Sequence, residues 1–260
     1  MFRLRTLGAV ELRGADEQEP TSVLLHAKPL ALLVFLAAAR PFGFHRRDAL
    51  VGLLWPVLDQ EHARGALRKT IHRLRRQIGV ASLVLAGDEA IGVASDALWC
   101  DARAFAEAER AGRAVDAVTL YRGDFLPGLF VANAPEFERW VDGERRRLRE
   151  SAVRLAWLAV SEAERDGDLT ESVRRARHAV SLVPDDEQGV RRLIAILERA
   201  GDRAGAIRAY GDLERYLAAE LQVAPSLATS TLIARVRSES GSPPAPPTGA
   251  PPRIVPPRRR

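Results

Sequence analysis

The chain has 260 residues, 47% hydrophobic and 28% charged, a globular composition with room for two modest domains. Its single cysteine, Cys100, excludes an intrachain disulfide and a cysteine metal site. The longest uncharged apolar run, the eleven residues Pro29–Ala39, is too short for a bilayer crossing, which takes about 20.

Net charge is +5 and uneven. Residues 1–95 hold 13 basic and 9 acidic side chains, residues 96–237 hold 22 and 24, and residues 238–260 hold 4 and 1. The N-terminus lacks the apolar core of a signal peptide. A cytoplasmic chain with no membrane segment is expected.

In chain order, Phe2–Leu7 and Val10–Arg13 are short β-prone runs around Gly8, and FRLRTL alternates apolar and polar positions as a half-buried strand does. A polar loop, GADEQEPTS, follows. Lys28 and Pro29 open a helix through about Ala39, which Arg40-Pro41 ends. A second helix is expected from about Arg46 to Leu54, stopping before Pro56. The stretch EHARGALRKTIHRLRRQIG predicts a long helix from Glu61, closed by Gly79. Leu83–Leu85 and Ile91–Val93 flank Gly87-Asp88-Glu89, a hairpin signature. From about Asp96 the pattern is read as helices only.

The long helix holds six Arg or Lys and one acidic residue among its nineteen positions. At about 100° per residue, Ala63, Ile71, Leu74 and Ile78 fall within about 40° of Leu67 and form a core-facing stripe. Gly65, Lys69, His72 and Arg76 fall near the opposite pole, with Arg68 and Arg73 beside them. This outward face lacks interleaved Glu, so its charges have no i,i+4 relief. A face of one sign fits a phosphate polymer. The order short helix, connection, basic helix, hairpin is that of a winged helix-turn-helix, whose second helix enters the major groove.

The stretch HRRDALVGLLWP…EHARGALRKTIHRLRRQIG resembles the OmpR-like winged helix of the Streptomyces antibiotic regulatory protein family. Lys28 matches the basic opening of the first helix. Arg47, Asp48, Leu50, Leu54 and Trp55 match the second, and Leu67, Arg68, Leu74 and Arg75 the recognition helix. Arg46 stands where the family often has a Ser or Thr cap. His45 is read as surface or hairpin-packing, with no assigned role.

Further on, Gly167-Asp168 and Gly201-Asp202 lie 34 residues apart, the tetratricopeptide period. Ala206 and Tyr210 recur as Ala117 and Tyr121 at the same offsets, and as Ser172 and Ala176. Asp101, Phe105, LYRGDFLPGLF (120–130), EFERW (136–140), ERRRLRE (144–150) and ELQVAPSLATSTLIARV (220–236) resemble the bacterial transcriptional activation domain of the same family. Read from the residues alone, Tyr121, Phe125, Leu126, Phe130, Phe137 and Trp140 are packing residues, with a groove as the lesser alternative.

The expected fold is mainly α. A winged helix-turn-helix (α+β) at 1–95 is followed by tetratricopeptide-like helices at 96–237. A Pro-rich basic tail at 238–260 holds eight of the sixteen prolines and is expected to be disordered. No P-loop, HExxH or other metal spacing occurs, so no cofactor, metal or enzymatic activity is expected. Asp185-Asp186-Glu187 reads as a helix start.

The expected function is a sequence-specific DNA-binding regulator. Lys28, Arg64, Arg68, Lys69, His72, Arg73 and Arg76 are its candidate DNA contacts, and the hairpin near Gly87 is expected to touch phosphate. The family resemblance implies an activator of RNA polymerase that self-associates, at least as a dimer, on tandem repeats. The alternative is a helical-repeat scaffold whose basic helix binds an acidic protein.

Overall fold

The computed structural model describes residues 1–14 and 26–238. Most of the polar loop and all of the tail beyond Ser238 lie outside them. The described residues contain six strands and ten α-helices in two compact units, divided between Gly167 and Asp168.

The first unit opens with β1 (Phe2–Arg5) and β2 (Glu11–Arg13), paired antiparallel with Leu4 opposite Leu12. Helix α1 (Ala27–Ala38) follows, with nine buried residues. A helix apolar on nearly all sides is a core helix, and here it is the long apolar run of the sequence. No helix among the described residues is long and apolar enough to cross a membrane.

A two-residue strand, β3 (His45–Arg46), leads into α2 (Arg47–Leu54). The long basic helix is α3 (Gln60–Ile78). Strands β4 (Leu83–Ala86) and β5 (Ala90–Val93) form the hairpin, with Leu83 opposite Val93 and Ala86 opposite Ala90. Strand β3 adds to its other side, His45 opposite Ile91. At Gly92 a Cβ would come within 2.8 Å of the Gly43 carbonyl oxygen, so this crossing needs glycine.

The cap of the second helix, left open by Arg46, is settled here, and one expectation is corrected. The second helix has no side-chain cap: Arg46 is a strand residue, and the first helical amide, Arg47 N–H, donates instead to the Glu89 carbonyl in the hairpin turn at 2.8 Å. Nor is the chain beyond Asp96 helices only. Strand β6 (Leu98–Cys100) runs parallel to β1, with Leu4 opposite Cys100. Leu98 and Cys100 are buried on either side of half-buried Trp99, so β6 completes the first sheet in the order β2-β1-β6.

Helices α4 (Asp101–Arg110), α5 (Ala114–Leu120) and the 31-residue α6 (Pro135–Arg165) complete this unit. Asp101, 4% exposed, is its main polar joint. Its carboxylate accepts from Thr6 N at 2.8 Å, Leu7 N at 3.0 Å, Thr6 Oγ1 at 2.6 Å and Ala102 N at 2.8 Å. Beside it, burial and then the Asp101 charge push the Cys100 thiol up to about 12.

The motif LYRGDFLPGLF docks on the same segment by main chain. Leu126 N–H donates to Thr6 O at 2.8 Å, and Gly8 N–H to Asp124 O at 2.9 Å. A Cβ on Gly123 would lie 2.9 Å from the Gly8 Cα, so the two backbones touch. From α6, Arg145 donates to the Phe125 and Leu126 carbonyls, both at 2.8 Å. The aromatic residues of this half are core and loop packing, apart from Phe130, which is 69% exposed. Trp140 contacts Phe35, Phe125 and Phe137, and Phe35 also meets the His45 ring.

The second unit holds α7 (Leu169–Leu182), α8 (Glu187–Arg199), α9 (Arg203–Tyr216) and α10 (Leu227–Ser238). The repeated Gly-Asp pairs act as stop and start signals. Gly167 and Gly201 have φ of 72° and 73°, the left-handed turn that ends a helix. Asp168 and Asp202 then cap the next one through Glu171 N and Gly205 N. Asp186 caps α8 in the same way. The repeated small and aromatic positions Ser172, Ala176, Ala206 and Tyr210 are buried.

Candidate nucleic-acid interface

Helix α3 is built by its two faces and two ends. Asp59 caps the start, its carboxylate accepting from His62 N at 3.0 Å and lying 2.6 Å from the His62 ring. These bonds hold the Asp59 carboxyl below its ordinary range. Gly79, at φ 86°, ends the helix. Ala63, Leu67, Thr70, Ile71, Leu74 and Ile78 are buried, the expected stripe plus Thr70. Thr70 sits there at low cost because its hydroxyl donates to the Ala66 carbonyl at 2.9 Å.

On the opposite side Arg68, Lys69, His72, Arg73 and Arg76 are exposed and line one shallow depression. None of the five has a hydrogen-bond or ion-pair partner among the described residues. Gly65 precedes this face in an interior turn, and a Cβ there would meet nothing within 4 Å. Nothing in the described fold requires a glycine at this position, although it weakens the helix.

The other candidates are placed differently. Arg64 is ion-paired with Asp48 in the first turn of α2, at 3.0 Å. Lys28 lies off the helix, in the first turn of α1. Its ammonium sits 5.5 Å from the centroid of the Trp55 ring, and burial lowers its pKa. Arg75, at the edge of the stripe, donates to the Leu83 carbonyl at 2.9 Å and ties α3 to the hairpin.

A second groove, of about 600 Å³, brings Arg46 and Arg47 to Arg64 and Arg68. In the sequence, Arg47 is a motif residue and Arg46 stands at the position of a family cap. The adjacent charges at a helix start were the available signal. Asp88 and Glu89 of the hairpin turn line the same groove.

Comparison with known proteins agrees with the second half of the resemblance. The family model for the bacterial transcriptional activator domain matches residues 95–237, more than half of the chain. A solved structure of Mycobacterium tuberculosis EmbR in complex with a low-affinity phosphopeptide is similar at a TM-score of 0.54 and 20% identity. The match covers 92% of this chain and 65% of that one, so this chain spans about two thirds of its length. At that identity the likeness speaks for the fold. No curated protein matches.

Proposed function

The chain belongs to the bacterial transcriptional activator domain family and is a transcriptional regulator, and we propose that it acts by reading DNA with α3. One observation carries the reading. Four exposed cations, Arg68, Lys69, Arg73 and Arg76, share with His72 the face of α3 opposite its buried stripe, and none of these residues has a carboxylate partner among the described residues. The groups that meet such a face in their normal geometry are phosphates and guanine edges.

Arg68, Lys69 and His72 are the proposed base readers, and Arg73 and Arg76 the phosphate contacts. Arg64 enters at the start of the helix, oriented by Asp48. Lys28 contributes backbone attraction from α1. Residues 1–95 supply the DNA-reading part, and residues 96–237 the helices that contact RNA polymerase and a second copy of the chain. On tandem repeats two protomers would place their α3 helices one or two turns apart, roughly 10 bp per turn.

The test is genome-wide DNA capture with the purified chain at physiological salt, beside Arg68→Ala with Lys69→Ala. Enriched fragments sharing a spaced direct repeat, lost in the double variant, are the expected result. Uniform, sequence-blind capture would overturn it and favour a scaffold that binds an acidic protein.

A further inference from the structure

Most winged-helix contacts to a duplex are made to the sugar–phosphate backbone, and phosphate rewards cations. The hairpin here offers none. From Gln77 to Ala102 the sequence has no Lys, Arg or His. Its exposed turn, between β4 and β5, carries Asp88 and Glu89 instead.

That turn is fixed relative to the basic helix. Arg47 N–H donates to the Glu89 carbonyl at 2.8 Å. Strand β3 pairs along β5, and Arg75 holds the Leu83 carbonyl. The two residues therefore line the groove of Arg46, Arg47, Arg64 and Arg68, to which Asp48 and Glu61 also contribute. Neither Asp88 nor Glu89 has a side-chain hydrogen bond or ion pair among the described residues, so both charges remain available to repel an approaching anion.

We infer that Asp88 and Glu89 are a phosphate-excluding element that sharpens the selectivity of α3, an inference that rests on the DNA-reading proposal. A cationic helix alone binds any duplex, because non-operator binding is nearly all phosphate contact. Discrimination comes from added contacts to the right site, from a term that penalises the wrong pose, or from both. Two carboxylates that line the same groove as Arg64 and Arg68 supply such a term. They disfavour poses that lay the sugar–phosphate backbone across the start of α3. A pose that seats the helix in the major groove, with base edges toward Arg64 and Arg68, avoids them. The expectation that this hairpin touches phosphate is thereby reversed.

The test uses the full chain with Asp88→Asn plus Glu89→Gln. These isosteric changes leave the Glu89 main-chain bond in place. Affinity is measured for an operator duplex recovered by capture and for a scrambled duplex of equal length, across a salt series. Scrambled-duplex affinity should rise about threefold or more while operator affinity changes less, so that the ratio of the two falls. In Asp88→Lys plus Glu89→Lys, the scrambled-duplex salt slope should steepen by about one to two units. Unchanged scrambled-duplex binding in both variants would overturn the inference and leave the DNA reading standing. Loss of operator binding in the Asn/Gln variant would also overturn it, by making the carboxylates base contacts. A wild-type chain without sequence preference would remove the DNA reading itself.

Discussion

In α6, Arg139, Arg145, Arg147, Arg149 and Arg154 each meet a carboxylate, namely Glu136, Asp142, Glu144, Asp124 and Glu109. In α3, Arg68, Lys69, His72, Arg73 and Arg76 meet none among the described residues. The two helices are similarly arginine-rich, but α6 interleaves seven acidic residues with its arginines where α3 has only Glu61. What separates them is whether the fold itself satisfies the charge. Paired arginines hold loops and neighbouring helices in place. A face of unpaired ones carries self-repulsion that only an external anion relieves.

Variants can break or sharpen this contrast, and the largest effect belongs to α3. Arg68→Ala with Lys69→Ala should weaken operator binding about thirtyfold or more. Its thermal midpoint should stay near wild type, since neither side chain is buried. A large drop in midpoint would mean that the α3 cations are structural after all.

Arg145→Ala is the counterpart in α6. It strips the Phe125 and Leu126 carbonyls of charged donors and should cost about 1–3 kcal/mol in denaturant unfolding. An unchanged unfolding midpoint would remove Arg145 from the clamp.

Gly65→Ala tests the bare turn of α3. The methyl meets nothing in the free protein, so stability should rise by about 0.5–1 kcal/mol. DNA affinity should fall severalfold if the partner backbone approaches there. Equal affinity would assign the glycine no part in recognition.

The smallest effect is on α7, where hydrogen bonds from Arg174 and then Arg175 hold the Glu171 carboxyl down to about 2, against an ordinary 4.5. A depressed carboxylate stabilises the fold above its unfolded pKa, and that contribution is lost as pH falls from about 4.5 toward about 2. The pair is largely solvated, so it is worth a few tenths of a kcal/mol. Glu171→Gln should flatten acid unfolding across that window by this amount, read as midpoint against pH.

The sequence disclosed what local periodicity encodes. The amphipathic α3, the hairpin around Gly87 and the Gly-Asp punctuation of the helical half all rest on residues within a turn or two of each other. It did not disclose β6, because Leu98–Cys100 is a short run whose partner β1 lies more than ninety residues upstream. For the same reason Asp101 showed as a motif residue and not as an acceptor for Thr6 and Leu7. Within the site, the exposed face of α3 was readable. The ion pair that engages Arg64 was not, because Asp48 is sixteen residues away on another helix.

The joint at Asp101 bears on how such regulators could be recombined. A graft cut just after the hairpin would take β1 without its parallel neighbour. It would leave the amides of Thr6 and Leu7 seeking a carboxylate that the host supplies only if its own sequence carries one in register. Gly8 would also need a glycine opposite it, as Gly123 is here. The smallest transplantable reading module therefore runs from the first strand through α6, and operator preference in hybrids should follow that whole block.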